Sequence, residues 1–430
     1  MRTTASLLAL AVMLFASLPG TSVDAQVTSV IHATPTFSKD VAPIFFKHCV
    51  SCHRPGDIAP MSLLTYEQSR PYARAILNAV SKRTMPPWHA DAPAGTFLNE
   101  RILTDAERET IVAWAEAGAP RGEAKDLPPA PSFNDEWVLG TPDLVLEMEE
   151  DFQVPTSGTI EYAYFYVPTN FAERRWVKSL EVRPGNRQVV HHILLNQLAK
   201  SDAERTPLAR GKPEDEVRVR RDALGERPRR TDLNSMPSRL MATYAPGTNP
   251  QVAHGGTAFV LEPGSILEFG VHYTAIGKPA TDRSKVGLIF SKDPSPREIR
   301  AQAFYNSTLK LPAKAPDTAV STELEFVQDS VLWGVFPHSH LRGKRWDYKL
   351  QLPNGQISSV LAVPRYDFNW QTYYMFSQPL QVPKGSKLIS TAWYDNSPAN
   401  KSNPDPTIEV LWGNQTWEEM QYTGVLVSQP

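Results

Sequence analysis

Gln188-Val-Val-His-His-Ile-Leu-Leu195 is an apolar run interrupted by two adjacent imidazoles, and it is one of many short strand-like runs in the chain. Leu144 to Met148, Glu161 to Val167 and Lys178 to Val182 precede it; Ile266 to Tyr273 and Val286 to Phe290 follow. A second series comprises Ser330 to Phe336, Trp346 to Leu352, Leu380 to Val382, Lys387 to Tyr394 and Thr407 to Leu411. Short runs separated by Pro, Gly and Asn predict antiparallel sandwiches, and this much chain predicts two of them, with a break near Lys292-Asp-Pro-Ser-Pro296. Pro outnumbers Gly, 38 to 23, and aromatics reach 10%, a composition suited to β-rich structure rather than disorder. The Arg-, Glu- and Pro-rich stretch 199–240 is expected to be a surface excursion. Its charge run (Arg218, Arg220, Arg221, Arg227, Arg229, Arg230) reads as a solvated face.

The start of the chain reads as an export signal. Arg2 precedes an apolar core from Leu7 to Leu18, too short to span a bilayer, and Val23 and Ala25 predict a cut after Ala25. A periplasmic or secreted protein without a membrane span is therefore expected. A formal net charge of -2 gives no reason to expect a nucleic-acid partner.

The chain has only two cysteines, and both lie in Cys49-Val-Ser-Cys52-His53. The His directly after Cys-x-x-Cys points to covalent haem c rather than a redox disulfide: both sulfurs form thioethers and His53 becomes the proximal iron ligand. The flanking sequence predicts three short helices. The first, from Phe37 to His48, has Ser38 as a candidate cap. The second covers Tyr66 to Ser81 with an apolar face at Tyr72, Ile76 and Val80. The third follows Thr104, whose Thr-x-x-Glu with Glu107 is a capping box, and stops at Gly118. This segment resembles a cytochrome c. Met85, in Arg83-Thr-Met-Pro-Pro-Trp-His89, is the leading candidate for the sixth iron ligand, with Met61 and His89 as alternatives. The proline-rich stretch from Arg121 to Pro131 predicts a semi-rigid spacer.

Five of the six histidines beyond the haem segment fall in an ordered pattern. His191 and His192 are adjacent, so on a regular strand they face opposite ways and share a metal only through a bulge or with opposite ring nitrogens. His272 lies in Val271-His-Tyr273, and His338 and His340 lie in Pro337-His-Ser-His-Leu-Arg-Gly343, two apart and so on one face of a strand. Met420 lies in Glu419-Met near the C-terminus. A lone strand His is often a hydrogen-bonded core residue and a lone Met often fills a core. Imidazoles with one thioether suit copper, whereas zinc more often recruits Cys or carboxylate.

In this order the motifs resemble the copper type II, ascorbate-dependent monooxygenases, the family of peptidylglycine α-hydroxylating monooxygenase and dopamine β-hydroxylase. The resemblance covers roughly residues 140 to 428 and extends to bacterial versions with a cytochrome c module in front. It implies two jelly-roll-like sandwiches facing each other across a solvent-filled cleft, each with one copper. His191, His192 and His272 then match the electron-storing copper. His338, His340 and Met420 match the copper where O2 binds and a substrate C–H bond is hydroxylated. The chain departs from its animal relatives in having no cysteine left for disulfides. Phe336 also stands where the amidating enzyme has an Arg for its substrate carboxylate, which suggests an apolar or aromatic small-molecule substrate. His254 matches no family role.

The expected organisation is thus a signal over 1–25, an all-α cytochrome c-like domain over 37–122, a linker over 123–138, and β-sandwiches over 139–298 and 299–430. The expected activity is O2-dependent hydroxylation. Electrons enter through the haem from a donor protein or small reductant. The rival readings are an electron-transfer or sensor cytochrome on ligand-binding sandwiches, and a haem peroxidase.

Overall fold

The computed structural model describes residues 34–430 except 56, 58, 133–136, 159, 161–162, 199–237, 246–247, 249 and 414, with backbone alone at 238–239. The expected signal, its cut after Ala25 and the arginine run from Arg218 to Arg230 lie outside the described residues.

A π-helical turn at Phe37–Val41 runs into α1 (Ala42–His48); α2 (Tyr66–Ser69) continues through a 3₁₀ turn at Arg70–Tyr72 into α3 (Ala73–Ser81); α4 spans Asp105–Glu116. Thr104 and Glu107 form the capping box that their spacing predicts. Ser38, in contrast, caps nothing: it is buried, and its N–H donates to Arg121 O at 2.9 Å, while Asp40 accepts the Thr36 N–H at 2.7 Å. Ile76 and Val80 are buried but Tyr72 is exposed. The tighter 3₁₀ turn changes the phase of the helix there and carries Tyr72 off the apolar face. Phe37, Phe45, Ile111 and Trp114 form the centre of this helical core.

The rest of the described structure is mostly sheet. One antiparallel sheet orders β3 (Ala163–Pro168), β9 (Ile266–Tyr273), β5 (Val190–Leu198) and β6 (Ser238–Tyr244). Its buried face meets β1 (Leu144–Glu147), β11 (Lys285–Phe290), β4 (Arg175–Arg183) and β8 (Thr257–Leu261) around Phe165, Ile193, Phe269, Val177 and Phe259. A second such pair has β14 (Thr318–Glu325), β19 (Lys387–Tyr394), β16 (Gly343–Gln351) and β17 (Ile357–Val363) in one layer. The other layer contains β12 (Arg297–Tyr305), β21 (Tyr422–Ser428), β15 (Ser330–His338) and β18 (Tyr374–Val382). Short ribbons join β2 (Phe152–Val154) to β10 (Ala280–Asp282) and β13 (Lys310–Leu311) to β20 (Val410–Leu411), and β7 (Gln251–Val252) pairs with β4.

The two halves are not separate sandwiches. β12 pairs parallel with β8, so one sheet runs through both. The reason is visible in β15, which is apolar on both faces: Leu332 and Val335 enter the second core, whereas Val331, Trp333 and Phe336 enter the first.

The linker does not hold the helical part away either. Leu98 N–H donates to Met375 O at 2.7 Å, Asn99 Nδ2 to Tyr373 O at 2.6 Å, and Phe97 bridges to Phe376 while buried in the second core. The segment before α4 thus extends the edge strand β18. This covers backbone groups that an open edge would expose.

Candidate metal centre

The register of β5 and β9 sets His192 opposite His272, and a bulge between Val190 and His192 resolves the difficulty of the adjacent pair. The extra residue turns His191 to the same side as His192. Their Nδ1 atoms then lie 3.0 Å apart, and one donor atom from each of His191, His192 and His272 falls within 4.8 Å of the others. The bulge thus brings the two adjacent rings to one side of the strand. Burial holds all three imidazoles below their ordinary pKa: His191 is lowered, His192 falls well below, and His272 is pushed down to about 4 by burial and then by His191. Three neutral imidazole nitrogens this close together suit a transition-metal cation.

The second group differs in construction. β15 ends at His338, so His340 lies in the turn beyond the strand rather than on it, and their rings are 5.3 Å apart. Each ring is oriented through Nδ1. His338 Nδ1 meets Gln371 Oε1 at 2.5 Å, and His340 Nδ1 lies 3.3 Å from Glu418 O. An imidazole whose Nδ1–H is taken by an oxygen presents a lone pair at Nε2. Burial pushes His338 to about 4 and His340 to about 3. In the β15–β21 register His338 faces Tyr422. Met420 lies two residues before Tyr422, in the segment whose Glu418 O approaches the His340 ring.

The turn is fixed by residues that the sequence does not single out. The Glu419 carboxylate accepts from three backbone N–H groups: His340 at 2.7 Å, Arg342 at 2.7 Å and Met420 at 2.9 Å. Burial still raises Glu419 to about 7 against those donors and Arg342. Arg342 is itself buried, donating to Trp417 O at 2.8 Å and Asn396 Oδ1 at 2.9 Å. Tyr394 donates to Met420 O at 2.8 Å. The only sequence hints of this frame were Glu419-Met and the Arg342 of Pro337-His-Ser-His-Leu-Arg-Gly343.

A further residue joins the two groups. Phe368 stacks on His191 at 5.4 Å between ring centroids and meets His340 edge-on at 6.1 Å. His192 is also lowered by the charges of His338 and His340, behind burial and its own group. The two sets therefore converge on one ring. Phe336 stacks under His338 and packs 5.0 Å from Tyr373 inside the first core, a close approach that Gly424 permits because a Cβ there would lie 2.9 Å from the Tyr373 hydroxyl. His254 lies apart, its carbonyl accepting from Thr257.

Cys49 closes α1, and the next turn carries Cys52 and His53, whose N–H groups both donate to Cys49 O, at 3.1 and 2.9 Å. Both cysteines are free thiols, and burial, then Cys52 and Glu107, push the Cys49 thiol up to about 12. His53 Nδ1 lies 3.2 Å from Met61 O, which directs Nε2 away from that loop. Two unpaired thiols beside an imidazole oriented in this way fit covalent haem. Met85 is exposed. His89 has both ring nitrogens buried without a hydrogen-bond partner and is electrostatically coupled to Asp367 and Arg365.

No family model matches the sequence, and no curated protein matches it. Among solved structures, the major capsid protein P2 of bacteriophage PM2 is 9% identical over 66% of this chain and 97% of its own, with a TM-score of 0.28. The infectious bursal disease virus VP2 subviral particle is 9% identical over 67% of this chain and 72% of its own, with a TM-score of 0.19. An allantoicase is 8% identical over 57% of this chain and 81% of its own, with a TM-score of 0.16. These scores are too low for any of the three to bear on function.

Proposed function

We propose that this chain is an exported copper monooxygenase, with jelly-roll-like sandwiches over 139–298 and 299–430, fed with electrons by a cytochrome c-like haem domain over 37–122. The observation that carries it is the convergence of His191, His192 and His272 with His338 and His340 on Phe368. Bound copper would supply O2 reduction and hydroxylation of a substrate C–H bond, and haem held by Cys49, Cys52 and His53, with Met85, Met61 or His89 as a further ligand, would supply electrons. Overall, substrate, O2, two electrons and two protons give a hydroxylated product and water.

The protein's own part is binding and orientation. His191, His192 and His272 each offer one ring nitrogen to a common neighbourhood, which the bulge makes possible. Gln371 and Glu418 hold the Nδ1 sides of His338 and His340, so that both offer Nε2. The Glu419 and Arg342 frame fixes the segment bearing Met420, the soft ligand that favours the reduced ion. Phe368, Phe336 and the buried Tyr373 make the surroundings apolar, which supports a small apolar substrate.

Oxygen uptake driven by a one-electron donor tests this reading. In the copper- and haem-loaded chain, the double variants H191A/H192A and H338A/H340A should each abolish the copper-dependent uptake. Wild-type uptake no greater than that of the copper-free haem protein would instead support the rival: an electron-transfer or sensor cytochrome on binding sandwiches.

A further inference from the structure

The loop 365–371 between β17 and β18 touches the histidines directly and reaches the thiol motif through Arg101. Arg101 Nη1 lies 3.8 Å from Cys52 Sγ, and the same guanidinium sits 5.1 Å from the centroid of the Trp370 ring. The next residue, Gln371, meets His338 at 2.5 Å; two residues before Trp370, Phe368 meets His191 and His340. The loop is firmly held. The Tyr366 hydroxyl donates to Ser339 O at 2.7 Å and accepts from Ser339 N–H at 2.9 Å, and Gln371 Nε2 donates to Phe368 O at 2.9 Å.

Trp370 itself is oddly placed for a structural residue. Its indole N–H is buried without an acceptor, whereas a buried Trp usually finds one. Its ring is instead engaged by the Arg101 cation, a contact of the cation–π type. A second tie brings the same motif toward the first group: Asp57 pairs with Arg187 at 2.7 Å, just before β5.

We propose that Trp370, held against the attachment motif by Arg101, is the residue through which electrons pass from the haem at Cys49 and Cys52 to copper at the histidines. The inference rests on the functional reading above. The step moves one electron: haem iron goes from Fe(II) to Fe(III), copper goes from Cu(II) to Cu(I), and no bond forms or breaks. An external one-electron donor protein or small reductant restores the ferrous haem. Arg101 acts as a positioning residue in this route.

The full chain, loaded with haem and copper, would have its haem photoreduced by an external sensitiser, and reoxidation would be followed in the haem absorption. Trp370→Leu should slow reoxidation roughly tenfold or more, because contact at the junction is lost, whereas Trp370→Phe should keep most of the rate. Copper content and haem potential should stay unchanged in both. Wild-type kinetics in Trp370→Leu would overturn the route while leaving the functional reading intact. Haem that stays reduced in copper-loaded wild type would overturn the reading and the route together. Should Trp370→Leu lose copper or fail to fold, Arg101→Gln tests the other side of the contact: slower reoxidation supports the route and an unchanged rate overturns it.

Discussion

Gln371 illustrates what a single residue contributes to a candidate metal site without being a ligand itself. Its carboxamide oxygen takes His338 Nδ1, and its nitrogen holds the turn that carries Phe368. Replacing it with Leu leaves His338 without an acceptor and free to change tautomer. Copper affinity at the second group should fall by about 10- to 100-fold, with the first group unchanged, as read by copper titration against a competing chelator. Equal affinity at both groups in Gln371→Leu would contradict that role. The histidines that the fold gathers were legible as residue types in order: His191, His192, His272, His338 and His340. Gln371 and Phe368 were not, because their partners lie far away in sequence and no local pattern marks such contacts; Arg342 and Glu419 stood in the quoted motifs, but their framing role did not show.

Among the elements, α4 was the most legible, since a capping box is a local device that sequence spacing alone specifies. Glu107 does more than cap. Although desolvation opposes it, the Thr104 N–H, His48, Lys47 and the Thr104 hydroxyl draw its carboxyl from 4.5 down to about 2. It thereby ties α4 to the end of α1, next to Cys49. A depressed carboxyl stabilises the fold fully above its ordinary pKa, and that stabilisation is lost as pH falls through the folded value. The gap in melting temperature between wild type and Glu107→Gln should therefore be widest near neutrality and close between pH 4.5 and about 2. A gap independent of pH would show that the charge plays no part. The eleven strand-like runs fall on strands, but ten of the twenty-one described strands, β12, β14 and β21 among them, were not legible, and neither was the bulge at Val190–His192. The sequence posed the choice between a bulge and opposite nitrogens, and only the pairing with β9 decides it. Tyr72 and Ser38 were misread for a related reason: a 3₁₀ turn and a π-helical turn change phase without a clear sequence signal.

For the whole molecule, residues from Pro35 to Pro430 form one compact unit. Composition and run spacing indicated β-rich layers and a helical start. They did not indicate that β8 and β12 would join the layers into one sheet, or that Phe97 would fill the second core. Both depend on contacts between distant segments, and both bring the thiol motif, the loop 365–371 and the histidines into one neighbourhood. The central claim is that this neighbourhood holds two coppers beside one haem, and metal content tests it most directly. Protein matured with haem, reconstituted with copper and desalted should retain two coppers per haem iron by elemental analysis, falling to one in a His338→Ala, His340→Ala double variant. Iron alone, with no copper retained in either protein, would contradict the account.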